Sequence, residues 1–220
     1  MPVLLYCIVE DGIAVQVPKT GVRDKLLENI EGAGLACIVS RHDSENLIGD
    51  QPIRDMAVTF SRVLQEIFGQ AAIIPFRFPT LLTDVAEVQD LLKERGAEYR
   101  KDFSRLRDAV QMELRLTSNS SADAPHTKGS GTQYLRARQA QREMFERVAR
   151  QIREATCSLV RDWRQSDLPS GLRVYALVQR ALLDRFVAAM REVHISTGFH
   201  ARLSGPWPAT EFLEEVRNVG

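Results

Sequence analysis

The sequence predicts an α+β protein of two modules, the second of which is ferredoxin-like. Short apolar runs typical of strands alternate with segments whose apolar residues recur every three or four positions, as in amphipathic helices. From residue 110 to 204 the predicted order is strand, helix, strand, strand, helix, strand, which is the βαββαβ order of ferredoxin-like domains. The chain has 220 residues, enough to bury a sizeable core. We expect an N-terminal module over 1–82 and the ferredoxin-like module over 83–220.

Four strands and one helix are predicted in the first module. The opening apolar run is continuous, as in a strand buried on both faces. Asp11-Gly12 then predicts a hairpin turn into a strand with alternating apolar residues. A single apolar stripe from Ile53 to Phe68, closed by Gly69, predicts an amphipathic helix. The strands are expected at residues 3–9, 13–17, 34–40 and 71–78.

The second module is predicted to begin with a helix capped by Asp84 and Glu87, which together resemble a capping box. Gly96 is expected to break this helix, so that a separate helical segment follows through Phe103. A polar, Ser/Gly-rich segment at 117–132 predicts a mobile loop. The remaining elements are strands at 110–116, 158–164, 172–179 and 200–203, a long helix at 133–157, a helix at 182–193, and a short C-terminal extension.

Composition and charge exclude several classes of protein. Lys and Arg together number 29, as do Asp and Glu, so no overall field attracts nucleic acid or an anionic membrane. The apolar run near the N-terminus is too short for a membrane span and lacks the basic leader of a signal peptide. The odd count of three cysteines, without a secretion signal, predicts reduced and buried thiols in the cytoplasm.

The sequence carries none of the common catalytic or cofactor motifs. Phosphate-binding glycine loops, the Gly-x-Ser-x-Gly elbow, His-Glu-x-x-His and Cys-x-x-Cys are all missing. His42, His126, His194 and His200 are scattered and are expected in surface or loop positions rather than as metal ligands. Cys7 and Cys37 are expected to be small core residues, possible neighbours on adjacent strands. We therefore predict no catalytic residue, cofactor or metal.

The long helix carries six arginines, which raises the question of nucleic-acid binding. Glu143, Glu146 and Glu154 interleave with them, so the helix is only mildly basic. A ferredoxin-like RNA-binding domain would also show aromatic residues in an RNP1 pattern on a central strand, and we find none. A solvated or partner-facing helix, packed through a stripe that includes Met144, Phe145, Val148 and Ile152, is the better interpretation.

Two proline-bounded motifs are more specific. In IIPFRFPT, Arg77 lies between Phe76 and Phe78 at a strand end, where an arginine stacked on aromatic rings would serve a structural role. In RLSGPWPATEF, Pro206 and Pro208 hold Trp207 on a stiff extended segment, so that little entropy is lost when the indole docks. The docking site could lie within the chain, as a tryptophan latch, or on a partner.

Taken in order, several segments resemble the gas vesicle F/L proteins, the GvpL/GvpF family. LLYCIV resembles the family's opening strand, and GLACIVS its second strand, which ends in serine. IIPFRFPT is similar to the family's Pro-x-Arg-Phe-Gly-Thr motif, and GTQYL to its Gly-x-x-Tyr-Leu helix start. SGPWPATEF resembles the closing Gly-Pro-Trp-Pro-Pro-Tyr-x-Phe. Pro79 replaces a usual glycine, and Ala209-Thr210 replace the usual Pro-Tyr, which indicates a divergent branch.

The resemblance implies an accessory or minor structural protein of the gas vesicle, not an enzyme, that acts in shell assembly through protein–protein contacts. Its implied partners are the gas vesicle shell protein and other gas vesicle accessory proteins, with no nucleic acid, membrane or cofactor, in a cytoplasmic, vesicle-associated location. The alternative function is a ligand-binding regulatory module, because ferredoxin-like sheets often hold small effectors. The motif residues expected to bind a partner or shape the structure are Arg77, Phe78, Gly205, Pro206, Trp207, Pro208 and Phe212.

Overall fold

The computed structural model describes residues 1–43, 53–118, 131–168, 171–193 and 199–214. The chain divides into two compact units. The first comprises Met1–Arg107 together with the C-terminal residues from Leu213, and the second comprises Asp108–Phe212. This boundary follows the second helix of the first unit, whereas the sequence predicts a boundary before that helix, at residue 82.

Among the described residues, the first unit contains a four-stranded antiparallel sheet with the strand order β2-β3-β1-β4 and two α-helices. Leu5 of β1 packs in a cluster with residues of α2, whereas the next residue, Tyr6, stacks on Phe60 of α1. Neighbouring β1 side chains therefore contact different helices, and the strand is buried on both faces, as its continuous apolar run predicts. The elements are β1 (Val3–Glu10), β2 (Leu27–Gly32), β3 (Leu35–Arg41), α1 (Ile53–Phe68), β4 (Ile74–Leu82) and α2 (Val85–Leu106).

Two predictions for this unit are wrong. Residues 13–17 are not in a strand, so no hairpin forms at Asp11-Gly12, and β1 pairs instead with β3 and β4. The hairpin in this sheet joins β2 to β3 and turns at Ala33 and Gly34, which have φ values of 55° and 74°. The sequence does not predict β2 because only two of its six residues, Leu27 and Ile30, have apolar side chains. Gly96 also does not break α2, which runs without interruption from its Asp84 cap, where the side chain accepts a hydrogen bond from the Glu87 amide.

The strands and α-helices described in the second unit follow the predicted order strand, helix, strand, strand, helix, strand. Its antiparallel sheet has the order β6-β7-β5-β8. Most of the predicted loop, residues 119–130, lies outside the described residues. The elements are β5 (Ala109–Ser118), α3 (Gly131–Thr156), β6 (Val160–Leu168), β7 (Gly171–Gln179), α4 (Leu183–Glu192) and β8 (Phe199–Trp207).

The two faces of the second sheet differ in polarity. The helices α3 and α4 pack against each other and against β7, and they bury Val148, Ile152 and Phe186. In β5, Leu114 and Leu116 are buried while Arg115 between them is exposed. One face of this sheet therefore forms the core of the unit, and the other carries charged side chains.

Candidate functional site

Both proline-bounded motifs lie at bulges on edge strands. In the first sheet, Leu5 pairs with Thr80 and Cys7 pairs with Pro75, so residues 76–79 of β4 bulge out beside Tyr6. In the second sheet, the pairing of β5 with β8 also shifts, between Gln111 and Glu113, where Gly205 and Pro206 of β8 lie opposite the single residue Met112. The peptide bonds that precede Pro79 and Pro206 in these bulges are cis. Bulges re-aim side chains away from the regular pleat, which is why they are common at functional edges.

The bulge of β4 presents its arginine outward. Phe76 is buried, Arg77 is exposed, and Phe78 is half-buried with its ring 5.2 Å from that of Phe60. The Thr80 hydroxyl donates a 2.6 Å hydrogen bond to the Arg77 carbonyl and so stabilises the bulge from within. The sequence suggests that Arg77 stacks on its flanking aromatic rings. The cation–π contacts in the described part of the chain involve other arginines and do not support this stacking.

Gly205 is required by the shape of the second bulge. Its φ of +121° is strained for any residue with a side chain, and a Cβ atom there would lie 2.9 Å from both the Gln111 carbonyl oxygen and the Met112 sulfur. The strand β8 continues through this bulge to Trp207, past the predicted strand end at residue 203. Trp207 is the last residue of the strand and is 41% exposed.

The residue that secures the C-terminal segment is Phe212. Its ring is fully buried, and the Arg164 guanidinium lies over it, with Cζ 5.3 Å from the ring centroid. The same guanidinium donates a hydrogen bond to the Glu211 carbonyl, and the Glu211 amide donates to Oε1 of Gln111 at 2.9 Å. Phe212 thus holds the segment in place, while Trp207 retains an exposed surface.

A buried polar network in the first unit was not expected from the sequence. The Ser40 hydroxyl lies 2.8 Å from Nε2 of His42 and 3.2 Å from the Tyr6 hydroxyl, which also accepts a 2.8 Å hydrogen bond from the Val22 amide. Burial, and then the positive charges of Lys25 and Arg23, lower the pKa of His42. The serine–histidine pair is arranged like a nucleophile and its base, but neither residue has any exposed surface, so no substrate can reach it.

His42 lies just after β3, outside any strand or helix, so it is in a loop as predicted, but it is buried and not at the surface. His200 is exposed on β8, and His126 and His194 lie outside the described residues. Among the described residues, no three side chains of the types that bind metals are close enough together to hold an ion.

The cysteines follow the expectation in part. Cys7 and Cys37 are buried on the adjacent strands β1 and β3, and burial raises the pKa of both thiols. Cys157 is exposed, which contradicts the prediction that all three thiols are buried. No described helix is both long and apolar enough to span a membrane.

The long helix α3 packs through only part of the predicted stripe. Phe145, Val148 and Ile152 are buried, whereas Met144 is 39% exposed because it lies beside the stripe rather than within it. On the polar side, Arg142 forms ion pairs of 3.2 Å with both Glu146 and Asp167.

Comparisons with known proteins give a consistent result. The family model described as gas vesicle synthesis protein GvpL/GvpF matches residues 2–214. The crystal structure of the gas vesicle protein GvpF from Anabaena sp. PCC7120 superposes with a TM-score of 0.78 at 16% identity, covering 97% of this chain and 96% of that one. GvpF from Microcystis aeruginosa gives a TM-score of 0.75 at 12% identity, covering 97% and 99%. The comparison with curated proteins found no match.

Proposed function

Because the chain belongs to the GvpL/GvpF family of gas vesicle synthesis proteins, we propose that it is an accessory or minor structural protein that helps to assemble the hydrophobic vesicle shell through protein–protein contacts. The proposed partners are the shell protein and other gas vesicle accessory proteins. The observation that carries this proposal is the position of Trp207, a large aromatic residue that is exposed at the end of an edge strand.

The physical argument begins with the shell subunit. A protein with a large apolar face aggregates unless a partner covers that face or delivers it to a growing edge. Tryptophan is among the residues that contribute most to binding at protein interfaces. Trp207 is followed by Pro208 and is held between the Gly205 bulge and the buried Phe212, so it would lose little conformational freedom on binding.

The bulge of β4 is a second proposed contact element. Arg77 is exposed and Phe78 is half-buried, which leaves a cation and an aromatic edge available on the surface of the first unit. Arginine and aromatic residues are enriched in protein interfaces, and bulged edge strands resist pairing with the wrong partner.

We also assign the second unit to the ferredoxin-like class. Two features support this assignment: the βαββαβ order of its elements, and a sheet in which the first and third strands, β5 and β7, are central neighbours.

The test is co-purification with the cognate gas vesicle shell protein. We expect the wild-type chain to retain the shell protein and Trp207→Ala to lose most of it. Met144→Ala is the matched control, because Met144 is also a large exposed apolar residue, at 39% against 41% for Trp207, but lies on α3. Circular dichroism of each variant would establish that it is folded.

The outcomes test separately the proposed assembly role and the part that Trp207 plays in it. Equal retention by the wild type and Trp207→Ala would keep the assembly role but remove Trp207 from the interface. No retention by the folded wild type would contradict the proposed function. Loss of folding in Trp207→Ala would instead show that the indole is a structural latch.

A further inference from the structure

Three arginines form a row across the second sheet. In the strand register, Arg115 of β5 is directly opposite Arg173 of β7 on one side and Arg202 of β8 on the other. Residues directly opposite each other on neighbouring strands share a face of the sheet, and neighbouring strands are about 4.8 Å apart. The three side chains, which we call the arginine row, therefore start within about 10 Å of one another.

The arginine row lies on the face that the helices leave open. Leu114 and Leu116, which flank Arg115 on β5, are buried, whereas Arg115 itself is exposed. Arg202 is also exposed, and Arg173 is half-buried. All three arginine side chains therefore lie on the solvent-facing side of the sheet.

The positive charge of the row is only partly neutralised. The carboxylate of Glu113 lies 3.5 Å from Arg115 and 3.2 Å from Arg173, so one acid serves two arginines. Arg173 also donates to the Tyr175 hydroxyl at 3.2 Å. Among the described residues, no carboxylate lies within ion-pair distance of Arg202. Like charges directly opposite on neighbouring strands destabilise a sheet, so this row costs folding stability unless an anion joins it.

We propose that the arginine row binds an extended acidic segment of a partner protein. Guanidinium groups bind carboxylates with two parallel hydrogen bonds, which is among the strongest polar contacts in proteins. In an extended peptide, alternate side chains lie on one side and about 7 Å apart, so two acidic residues separated by one other residue fit within the width of the row.

The surroundings of the row favour a peptide over a nucleic acid. Besides Glu113, Tyr175 and Gly171, the nearest positions on the same face carry Thr117, His200, Ser166 and Ser204, which offer hydrogen bonds to a peptide backbone. Single-stranded nucleic acids are bound through exposed aromatic side chains on which the bases stack. Tyr175, the aromatic residue next to the row, is buried and hydrogen-bonded to Arg173, so it offers no such stacking surface. The exposed Trp207 shares this face but lies opposite Gln111, four residues along β5 from Arg115 and so about 13 Å from the row.

The direct test is fluorescence anisotropy with a labelled short peptide in which glutamate and serine alternate. We expect this peptide to bind the full chain at low salt, and its glutamine–serine analogue not to bind. Binding should weaken as salt rises, because exposed charges are screened. A labelled oligothymidylate of equal charge is the competing probe.

Variants locate the binding surface. The double substitution Arg115→Gln and Arg202→Gln should weaken peptide binding by at least about tenfold. The matched control is Arg185→Gln, since Arg185 is an exposed arginine of the same unit but lies on α4. Arg185→Gln should leave the affinity unchanged.

Three results would overturn the proposal: no binding of the acidic peptide to the folded chain, equal losses in the double variant and in Arg185→Gln, or tighter, row-dependent binding of the oligothymidylate. These probes contain no gas vesicle component, so a failure here is distinct from a failure of the proposed assembly role.

Discussion

The guanidinium carbon of Arg164 on β6 lies 5.3 Å from the centre of the Phe212 ring, which is fully buried. Trp207, five residues earlier, is 41% exposed although it is the larger and rarer residue. The two aromatic residues of the C-terminal motif therefore have separate tasks. Phe212 anchors the segment to the second sheet, and Trp207 is presented to solvent.

Replacing the anchor should cost much more stability than replacing the exposed indole. Phe212→Ala removes a buried aromatic ring and is expected to lower the free energy of unfolding by about 3–5 kcal/mol. Trp207→Ala, at a partly exposed position, should cost only about 1 kcal/mol. Urea unfolding followed by circular dichroism would measure both. Equal losses would mean that Trp207 carries as much of the packing as Phe212.

The sequence predicts those helices and strands that are determined by residues close together in the chain. The continuous apolar run of β1, the apolar stripe of α1 and the Asp84 cap of α2 are each visible in a few neighbouring residues, and each is present. The strand β2 was missed because its place in the sheet depends on pairing with β3, not on its own polar composition. Gly96 does not break the helix as predicted. Its role is visible only in the folded chain, where it allows Ala33 to pack closely against the helix.

The candidate functional features likewise divide into those determined by neighbouring residues and those determined by residues far apart in the chain. The proline-bounded motifs are visible in the sequence because proline and glycine restrict the local backbone. The His42 network and the arginine row depend on residues far apart in the chain. For the arginine row, a shift of one residue in the register of β7 or β8 would move Arg173 or Arg202 to the opposite face.

Gly96 and Ala33 form a pair that can be tested together. A Cβ atom on Gly96 would lie 2.8 Å from Cβ of Ala33, closer than such atoms approach, and Ala33 itself has a positive φ of 55°. Gly96→Ala should therefore destabilise the chain by about 1–3 kcal/mol, although alanine is the better helix former by about 1 kcal/mol.

In an Ala33→Gly background the same substitution should become neutral or stabilising. Glycine removes the clashing methyl group and suits the positive φ. Thermal or urea unfolding of the two single variants and the double variant forms a double-mutant cycle. Additive effects would show that the two positions do not interact.

Gly205→Ala tests whether the bulge geometry supports binding. The added methyl group would meet the Gln111 carbonyl oxygen and the Met112 sulfur at 2.9 Å and would strain a φ of +121°. We expect a loss of about 1–3 kcal/mol in the free energy of unfolding. Retention of the shell protein should also fall, since Trp207 would be displaced. Gly34→Ala is the control: Gly34 also has a positive φ, 74°, but nothing lies within 4 Å of its Cβ position. It should lose stability without losing the shell protein.

His42 should make the stability of the chain dependent on pH in the mildly acidic range. Burial, Lys25 and Arg23 lower its pKa below the ordinary 6.5, while Asp43 opposes them. As pH falls below 6.5, the histidine of the unfolded chain gains a proton and folded His42 does not. The unfolded state then binds more protons, so stability is full above pH 6.5 and is lost as pH falls toward the lowered pKa.

The variant His42→Gln isolates this effect, because glutamine can still bond the Ser40 hydroxyl but does not titrate. Urea unfolding at pH 7.5 and 5.5 should show a larger loss of stability for the wild type than for His42→Gln. If the wild type and His42→Gln instead lose the same stability, His42 titrates as freely in the folded chain as in the unfolded one, and its burial does not suppress protonation.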